Sequence, residues 1–102
     1  MAVLVEEATY PLDWLKQLFG QSRWMVTLTA QNSALDLGLD EDDIFDCIMN
    51  DLAETHFYKT MPAEKNPELM QDVYRITYQG RRIYLKLQVV GDWANVISFK
   101  EE

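Results

Sequence analysis

Apolar residues in the first half of the chain recur with a period near 3.6, which predicts helices. A stripe from Trp14 to Phe19 has this spacing, and Gly20 marks the expected end of the first helix. The strongest helical pattern follows Asp40, where acidic residues suit the partially positive N-terminus of a helix. Its apolar stripe consists of Ile44, Phe45, Ile48, Met49 and Leu52.

Two shorter segments lie between these helices. Residues 24–29 are rich in β-forming residues and predict a strand or an extended segment. Residues 32–38 predict one or two helical turns that end at Gly38.

After the second helix the period changes to two, which predicts strands at residues 56–61, 71–78, 82–90 and 94–100. Helices followed by a run of strands indicate an α+β fold. We expect an antiparallel β-sheet of about four strands, a C-terminal meander with the N-terminal helices packed on one face. The whole of residues 1–102 is expected to form one domain, with residues 1–9 as a flexible or atypical segment.

Alternation sorts the side chains of the predicted sheet into two faces. Core-facing positions of the third and second predicted strands are Ile83, Leu85, Leu87, Val89, Tyr74, Ile76 and Tyr78. Positions on the other side, the open face, are Gln71, Val73, Arg75, Thr77, Arg82, Tyr84, Lys86 and Gln88. A two-residue Gln79-Gly80 turn places Arg75 directly across from Tyr84.

The last hairpin needs a correction to simple alternation. If Ile97 and Phe99 face the core, then Val96, Ser98 and Lys100 lie on the open face. A two-residue Gly91-Asp92 loop would pair Tyr84 with Phe99 and mix the faces. A three-residue loop would pair Tyr84 with Lys100, so the pattern predicts an odd-length loop or a bulge at Gly91.

The open face therefore combines one tyrosine with several cations, and the pattern places no acidic residue opposite them. Lys59 can join this face from the preceding strand, but its side is left open because Phe57 and Tyr58 are both credible core residues.

Net charge changes the picture, because the chain carries −8 in total. Residues 1–60 contain 11 acidic and 3 basic residues, whereas residues 61–102 contain 6 of each. An acidic average argues against non-specific nucleic-acid binding. The excess acid nevertheless precedes the strands that carry the cations.

Other chemistry is poorly supported. His56 is the only histidine, the only cysteine (Cys47) fits a core position, and the Asp40–Asp43 run lacks the spacing of a calcium loop. We expect no cofactor and no metal. With no long apolar run and no signal-peptide pattern, we expect a cytoplasmic protein without membrane contact.

Several segments resemble one known family. FYKTM at 57–61, QDVYR at 71–75, IYLKL at 83–87 and VISFKEE at 96–102 are similar to motifs of the MqsR-type toxins of bacterial type II toxin–antitoxin systems. The segment SALDLGLDEDDIFDCIMNDL at 33–52 also fits this family. The resemblance covers about residues 10–102 in the same order.

The resemblance implies a RelE-like fold and a toxin that is an mRNA interferase, an endoribonuclease held inactive by a cognate antitoxin with a helix-turn-helix DNA-binding part. It implies mRNA as substrate, cleaved without metal by attack of the 2′-hydroxyl. Catalytic positions carried over from its motifs are Lys59, Gln71, Tyr84 and Lys100. Predicted RNA-binding residues are Arg75, Lys86 and Arg82. The alternative is a catalytically weakened or inactive relative that serves as a protein-binding module.

Overall fold

The structure is a computed structural model that describes residues 7–102, and residues 1–6 lie outside the described part. Its helices are α1 (Leu12–Gly20), α2 (Leu28–Asp36) and α3 (Glu41–Asp46), with α3 continuing into a π-helical turn (Cys47–Asp51). A 3₁₀ turn (Glu54–His56) leads into the main run of strands. The strands are β1 (Trp24–Val26), β2 (Phe57–Pro62), β3 (Met70–Tyr78), β4 (Arg81–Val90) and β5 (Trp93–Glu101).

The strands form one sheet in the order β1-β5-β4-β3-β2. All neighbours are antiparallel except β1 and β5, which are parallel. The α+β prediction is therefore confirmed, but the sheet has five strands rather than about four.

The segment at residues 24–29 divides at Thr27, which the sequence pattern did not indicate. Residues 24–26 form β1, and the Thr27 side chain accepts a hydrogen bond from the Ala30 N–H at 3.1 Å. This N-cap starts α2 at Leu28, four residues earlier than the predicted helical turns at 32–38.

The acidic run before α3 forms a helix cap. The Asp40 carboxylate accepts a hydrogen bond from the Asp43 N–H, and the Asp43 carboxylate accepts one from the Asp40 N–H, both at 3.0 Å. This reciprocal pair satisfies two of the N–H groups at the helix start. Behind it, Ile44 and Ile48 are fully buried, as the stripe predicted.

Helices pack against one face of the sheet, and the predicted core residues of β3 and β4 are buried there. At the β3–β4 turn Gln79 and Gly80 both have positive φ, 50° and 77°, as a two-residue type I′ turn requires. The turn places Arg75 across from Tyr84, which confirms the predicted register.

The β4–β5 pairing confirms that Tyr84 lies across from Lys100, but the reason differs from the predicted one. Val90 pairs with Trp93, so the loop has two residues, Gly91 and Asp92, and the register shifts farther along β5. The prediction of an odd-length loop or bulge at Gly91 was wrong in location.

The bulge lies at Ile97, which is left without a partner between the pairs Leu87–Val96 and Lys86–Ser98. Val96 is consequently fully buried in the core, whereas Ile97 is half-buried and lines a cleft on the open face. The predicted sides of Val96 and Ile97 are therefore reversed, because the bulge separates two neighbouring β-branched residues that alternation alone assigns the other way.

A second bulge, in β2, decides the side of Lys59. Phe57 pairs with Tyr74 and Lys59 pairs with Val73, so Tyr58 is the extra residue. Phe57 packs against the core, Tyr58 is exposed, and Lys59 takes the open face.

Asp72 connects the first described residues to the sheet. Its carboxylate is fully buried and accepts hydrogen bonds from the Thr9 N–H at 3.0 Å and the Tyr10 N–H at 2.8 Å. The Tyr10 hydroxyl donates to the Met70 carbonyl at 2.6 Å. Within the segment predicted to be flexible or atypical, residues 1–9, Thr9 is thus bonded to the sheet, and residues 1–6 lie outside the described residues.

Replacing Asp72 by Ala removes the acceptor for these two backbone donors, one of which is buried. We expect Asp72→Ala to lower the free energy of unfolding by about 2 kcal/mol, the usual cost of an unsatisfied buried polar group. Denaturant unfolding followed by circular dichroism measures this difference. Thr77→Ala, at an exposed position of the same strand, is the control. Equal stability losses in both variants would contradict the role assigned to Asp72.

Candidate functional site

The face of the sheet opposite the helices, the open face, carries side chains in rows that cross the strands. The first row contains Arg75, Tyr84 and Lys100, which are direct cross-strand partners. The second contains Lys59, Val73 and Lys86, paired in the same manner. Neighbouring rows are two residues apart along each strand, about 7 Å.

Tyr84 lies between two lysines. The Lys100 Nζ is 5.2 Å and the Lys86 Nζ is 5.7 Å from the centroid of its ring. Tyr84 and Lys86 are half-buried, and Lys100 is exposed. Cations at these distances are attracted by the ring face, which holds them close to one another despite their like charge.

Lys59 and Lys100 both act electrostatically on Lys86. Burial lowers the pKa of the Lys86 ammonium, and the charges of Lys100 and Lys59 act in the same direction. Glu64 is the opposing influence. A concentration of positive charge without enough neutralising acid favours binding of an anion such as a phosphate.

Val73 shows how the second row is packed. It is fully buried, yet it lies outside the core cluster and on the open face, between Lys59 and Lys86. The hydrocarbon parts of long cationic side chains commonly cover apolar surface in this way while their charged ends stay in water. Lys59 and Lys86 are thus the cross-strand neighbours of a buried apolar residue on the open face.

Arg75 is held by an acid that the sequence pattern did not indicate. Its Nε and Nη2 donate to the Glu102 carboxylate at 2.5 and 2.8 Å. Arg82 Nε lies 3.5 Å from the same carboxylate. The expectation of no acid opposite these cations was therefore wrong, because Glu102 at the end of β5 reaches both arginines.

This ion pair shifts the pKa values of both Arg75 and Glu102. Hydrogen bonding to Glu102 raises the pKa of Arg75, and the same bonds lower the pKa of the Glu102 carboxyl. The pair is therefore intact at neutral pH and is lost only as the pH falls through the lowered pKa of Glu102. The Arg75 guanidinium also lies 4.5 Å from the Tyr58 ring centroid.

Gln71 lies on the open face, one row beyond the second row of Lys59, Val73 and Lys86. Its Nε2 donates to the Gln88 Oε1 at 2.8 Å, which joins β3 to β4 by a side-chain amide pair. Both residues line a cleft of about 570 Å³ between the open face and the β2–β3 loop. Sequence reasoning placed Gln88 on this face but assigned it no role, although its parity with Tyr84 and Lys86 was the signal.

Residues discounted from the sequence have structural explanations. Burial raises the pKa of the Cys47 thiol to about 12, so its thiolate is scarce at neutral pH. The His56 Nδ1 accepts a hydrogen bond from the Ala53 N–H at 2.9 Å. Within residues 7–102, no group of three or more His, Cys, Asp or Glu side chains is placed to hold a metal ion. No helix in this range is long and apolar enough to cross a membrane.

The structure thus brings all four predicted catalytic residues to one face. Lys59, Tyr84 and Lys100 lie in two adjacent rows with Lys86, and Gln71 lies one row farther on. The predicted RNA-binding residues Arg75 and Arg82 share this face and are both bound by Glu102. The catalytic roles remain predictions.

Fold and face together define an α+β protein with lysines and a tyrosine on the sheet face opposite its helices. Comparison with known proteins adds the family. Residues 7–101 match the family model described as "Motility quorum-sensing regulator, toxin of MqsA". The mRNA interferase toxin MqsR of Escherichia coli (strain K12) is 35% identical over 91 residues, which cover 89% of this chain and 91% of that protein. The chain belongs to the MqsR toxin family.

The ion pair between Arg75 and Glu102 allows a test of whether positive charge on the open face binds RNA. We expect Glu102→Gln to strengthen binding of single-stranded RNA several-fold and to steepen its salt dependence, because Arg75 and Arg82 become free for phosphates. Fluorescence anisotropy over a range of salt concentrations measures both quantities.

Glu101→Gln is the matched control, because it makes the same change in net charge. The Glu101 Oε2 lies 3.9 Å from the Arg81 Nη1. Glu101 pairs with Ile83, a core-facing position, so its side chain lies on the side of the sheet opposite the open face. Equal gains in affinity for the two variants would show that only net charge matters and would contradict a specific role of Glu102.

Proposed function

We propose that this chain is the toxin of a type II toxin–antitoxin system and that it cleaves mRNA as a metal-independent endoribonuclease. Membership of the MqsR toxin family and the name of the E. coli relative, an mRNA interferase, support this proposal. The observation that carries it is the arrangement of Tyr84 between Lys86 and Lys100, with Lys59 in the adjacent row. Cytoplasmic mRNA is the proposed substrate.

The proposed reaction uses the RNA's own nucleophile. The 2′-oxygen attacks the adjacent phosphorus, so a 2′-O–P bond forms and the P–O5′ bond breaks. The products are a 2′,3′-cyclic phosphate and a 5′-hydroxyl, and no water or external reductant is consumed. The proton lost by the 2′-hydroxyl must be accepted, and the departing 5′-oxygen must receive one.

Negative charge grows on the phosphate oxygens as the fifth bond forms. Lys59 is proposed to stabilise this charge, with help from Lys100 or Arg75, because preorganised cations act most strongly where charge develops. Lys86, whose pKa is lowered by burial and by its lysine neighbours, gains stabilisation when a phosphate approaches. A bound phosphate would thus reduce the repulsion between the lysine charges on these two rows.

Tyr84 is the proposed proton donor or acceptor, because it carries a hydroxyl and the ammonium groups of Lys86 and Lys100 lie close to its ring. Gln71 is proposed to position the phosphate or a base next to the reacting centre. Correct orientation of the 2′-oxygen, phosphorus and 5′-oxygen in line supplies much of the rate enhancement in such a reaction.

The partner proposed is a cognate antitoxin protein that carries a helix-turn-helix DNA-binding part. The family description, which names its members as toxins of MqsA, supports an antitoxin partner. Acidic residues of this chain concentrate before β2, and Asp40 and Asp43 cap α3 on the helical side. Their charge is therefore kept apart from the lysines of the open face.

A second candidate function is that of a non-catalytic binding module. The specific observation in its favour is the Glu102 carboxylate, which already occupies Arg75 and approaches Arg82. The net charge of −8 also opposes RNA binding. A wild-type chain that leaves purified RNA intact in EDTA would select this alternative.

Variants of the open face test the endonuclease directly. We expect Tyr84→Phe and Lys59→Ala each to reduce the single-turnover rate of RNA cleavage by about 10²-fold or more, because they remove a proton-transfer group and a charge-stabilising group. The assay uses purified RNA in EDTA with the products resolved by gel electrophoresis.

Arg81→Ala is the control, since it removes one exposed cation whose cross-strand partner, Tyr78, faces the core. It should leave the cleavage rate within about threefold of wild type, as surface substitutions away from a site usually do. Wild-type rates for both Tyr84→Phe and Lys59→Ala would show that the site is misassigned.

A further inference from the structure

The cleft beside the candidate active site is lined by Gln71 and Lys86 and by further residues that have no role in the cleavage chemistry proposed above. It has a volume of about 570 Å³ and lies between the open face and the loop that joins β2 to β3. Its size falls in the range of about 300–1,000 Å³ that is usual for small-molecule sites. It lies directly beside the lysine row, because Lys86 contributes to its wall.

The middle of the cleft is neutral and polar. Because Gln71 Nε2 donates to Gln88 Oε1, the side-chain oxygen Oε1 of Gln71 and the side-chain Nε2 of Gln88 face the cleft without a further side-chain hydrogen bond among the described residues. One acceptor and one donor side by side match the hydrogen-bonding edge of a nucleobase, as paired amide groups do in nucleic-acid recognition. A phosphate diester offers only acceptors, so it would leave the Gln71 Oε1 without a donor.

Apolar walls flank the amide pair. Met61 pairs with Gln71 across β2 and β3, and Ile97, the unpaired residue of the β5 bulge, lines the cleft. Such walls contact the flat faces of an unpaired base while the amides contact its edge. The bulge leaves Ile97 unpaired beside the cleft and lets Ser98 pair with Lys86, so the irregularity that places Lys100 across from Tyr84 also borders this cleft.

The charges at the rim largely cancel. Glu64 and Lys65 both line the cleft, and Glu64 acts on Lys86 with a sign opposite to that of the neighbouring lysines. Positive charge increases instead toward Lys59 and Lys100, one and two rows away. An RNA strand would therefore place its phosphates over the lysine rows and a neutral group in the cleft.

We propose that this cleft is a nucleobase-binding subsite, in which Gln71 and Gln88 read the edge of an unpaired RNA base beside the scissile phosphate and Met61 and Ile97 hold its faces. This inference rests on the proposed function for the identity of the polymer. It assigns to Gln88, Met61 and Ile97 the selection of base, which is separate from the chemistry assigned to Tyr84 and the lysines.

The experiment measures base preference in binding, without cleavage. The probes are short homopolymeric 2′-fluoro oligonucleotides of adenosine, cytidine, uridine and inosine, which cannot be cut because they lack the 2′-hydroxyl. Fluorescence anisotropy gives the Kd of each for the full chain. We expect the wild-type values to differ between bases by about tenfold, as one well-placed amide contact provides.

Two variants change the cleft and one serves as control. Gln88→Met keeps the length of the side chain but removes its donor and acceptor, and Met61→Ala removes an apolar wall. Either variant should reduce the ratio between the best and worst base to about twofold or less. Asn95→Leu, at the cross-strand partner of Gln88 but outside the cleft lining, should keep the wild-type ratio.

Equal Kd values for all four probes in the wild type, or an unchanged ratio in both cleft variants, would overturn the subsite. Loss of binding to a cognate antitoxin with no change in the base ratio would overturn it in favour of a protein contact. A ratio that responds as expected while wild-type RNA stays uncut would refute the endonuclease and leave the subsite standing. Absence of any RNA binding would refute both.

Discussion

Two β-bulges determine which side chains share the open face. Because side chains alternate along a strand, one extra residue reverses the side of everything beyond it. The bulge at Tyr58 places Lys59 on the open face, and the bulge at Ile97 keeps Lys100 across from Tyr84 while Val96 enters the core. Without both bulges, Lys59, Tyr84 and Lys100 could not face a common ligand.

The sequence predicted the result of the β5 bulge but not its position. Pairing Tyr84 with Lys100 followed from the need to bury Phe99, whereas the neighbours Val96 and Ile97 are both apolar and β-branched, so their pattern cannot show which one faces the core. Thr27 illustrates a different limit. A strand-forming run contains the cap of a helix, and only tertiary packing of α2 decides between the two. Asp72 and Glu102 bind partners 62 and 27 residues away, Tyr10 and Arg75, which no local pattern reports.

The acidic and basic residues of this protein lie in different places, so the net charge does not describe the open face. The chain is strongly acidic, yet the acids around α3 serve as helix caps and side-chain acceptors, as when the Tyr78 hydroxyl donates to Asp46 at 2.8 Å. On the open face, the charges of Lys59 and Lys100 act on Lys86, and Glu102 pairs with Arg75 and Arg82 rather than with these lysines. The acid therefore lowers the general attraction for RNA while the lysine rows retain a local one.

The proposed cleavage uses the RNA's own 2′-hydroxyl as the nucleophile. The most direct test compares an RNA substrate in EDTA with the same RNA carrying one 2′-deoxynucleotide on the 5′ side of the cut. We expect the all-ribose RNA to yield a 2′,3′-cyclic phosphate and a 5′-hydroxyl, and the deoxy position to stay uncut. Cleavage at the deoxy position, or products with a 5′-phosphate, would contradict it.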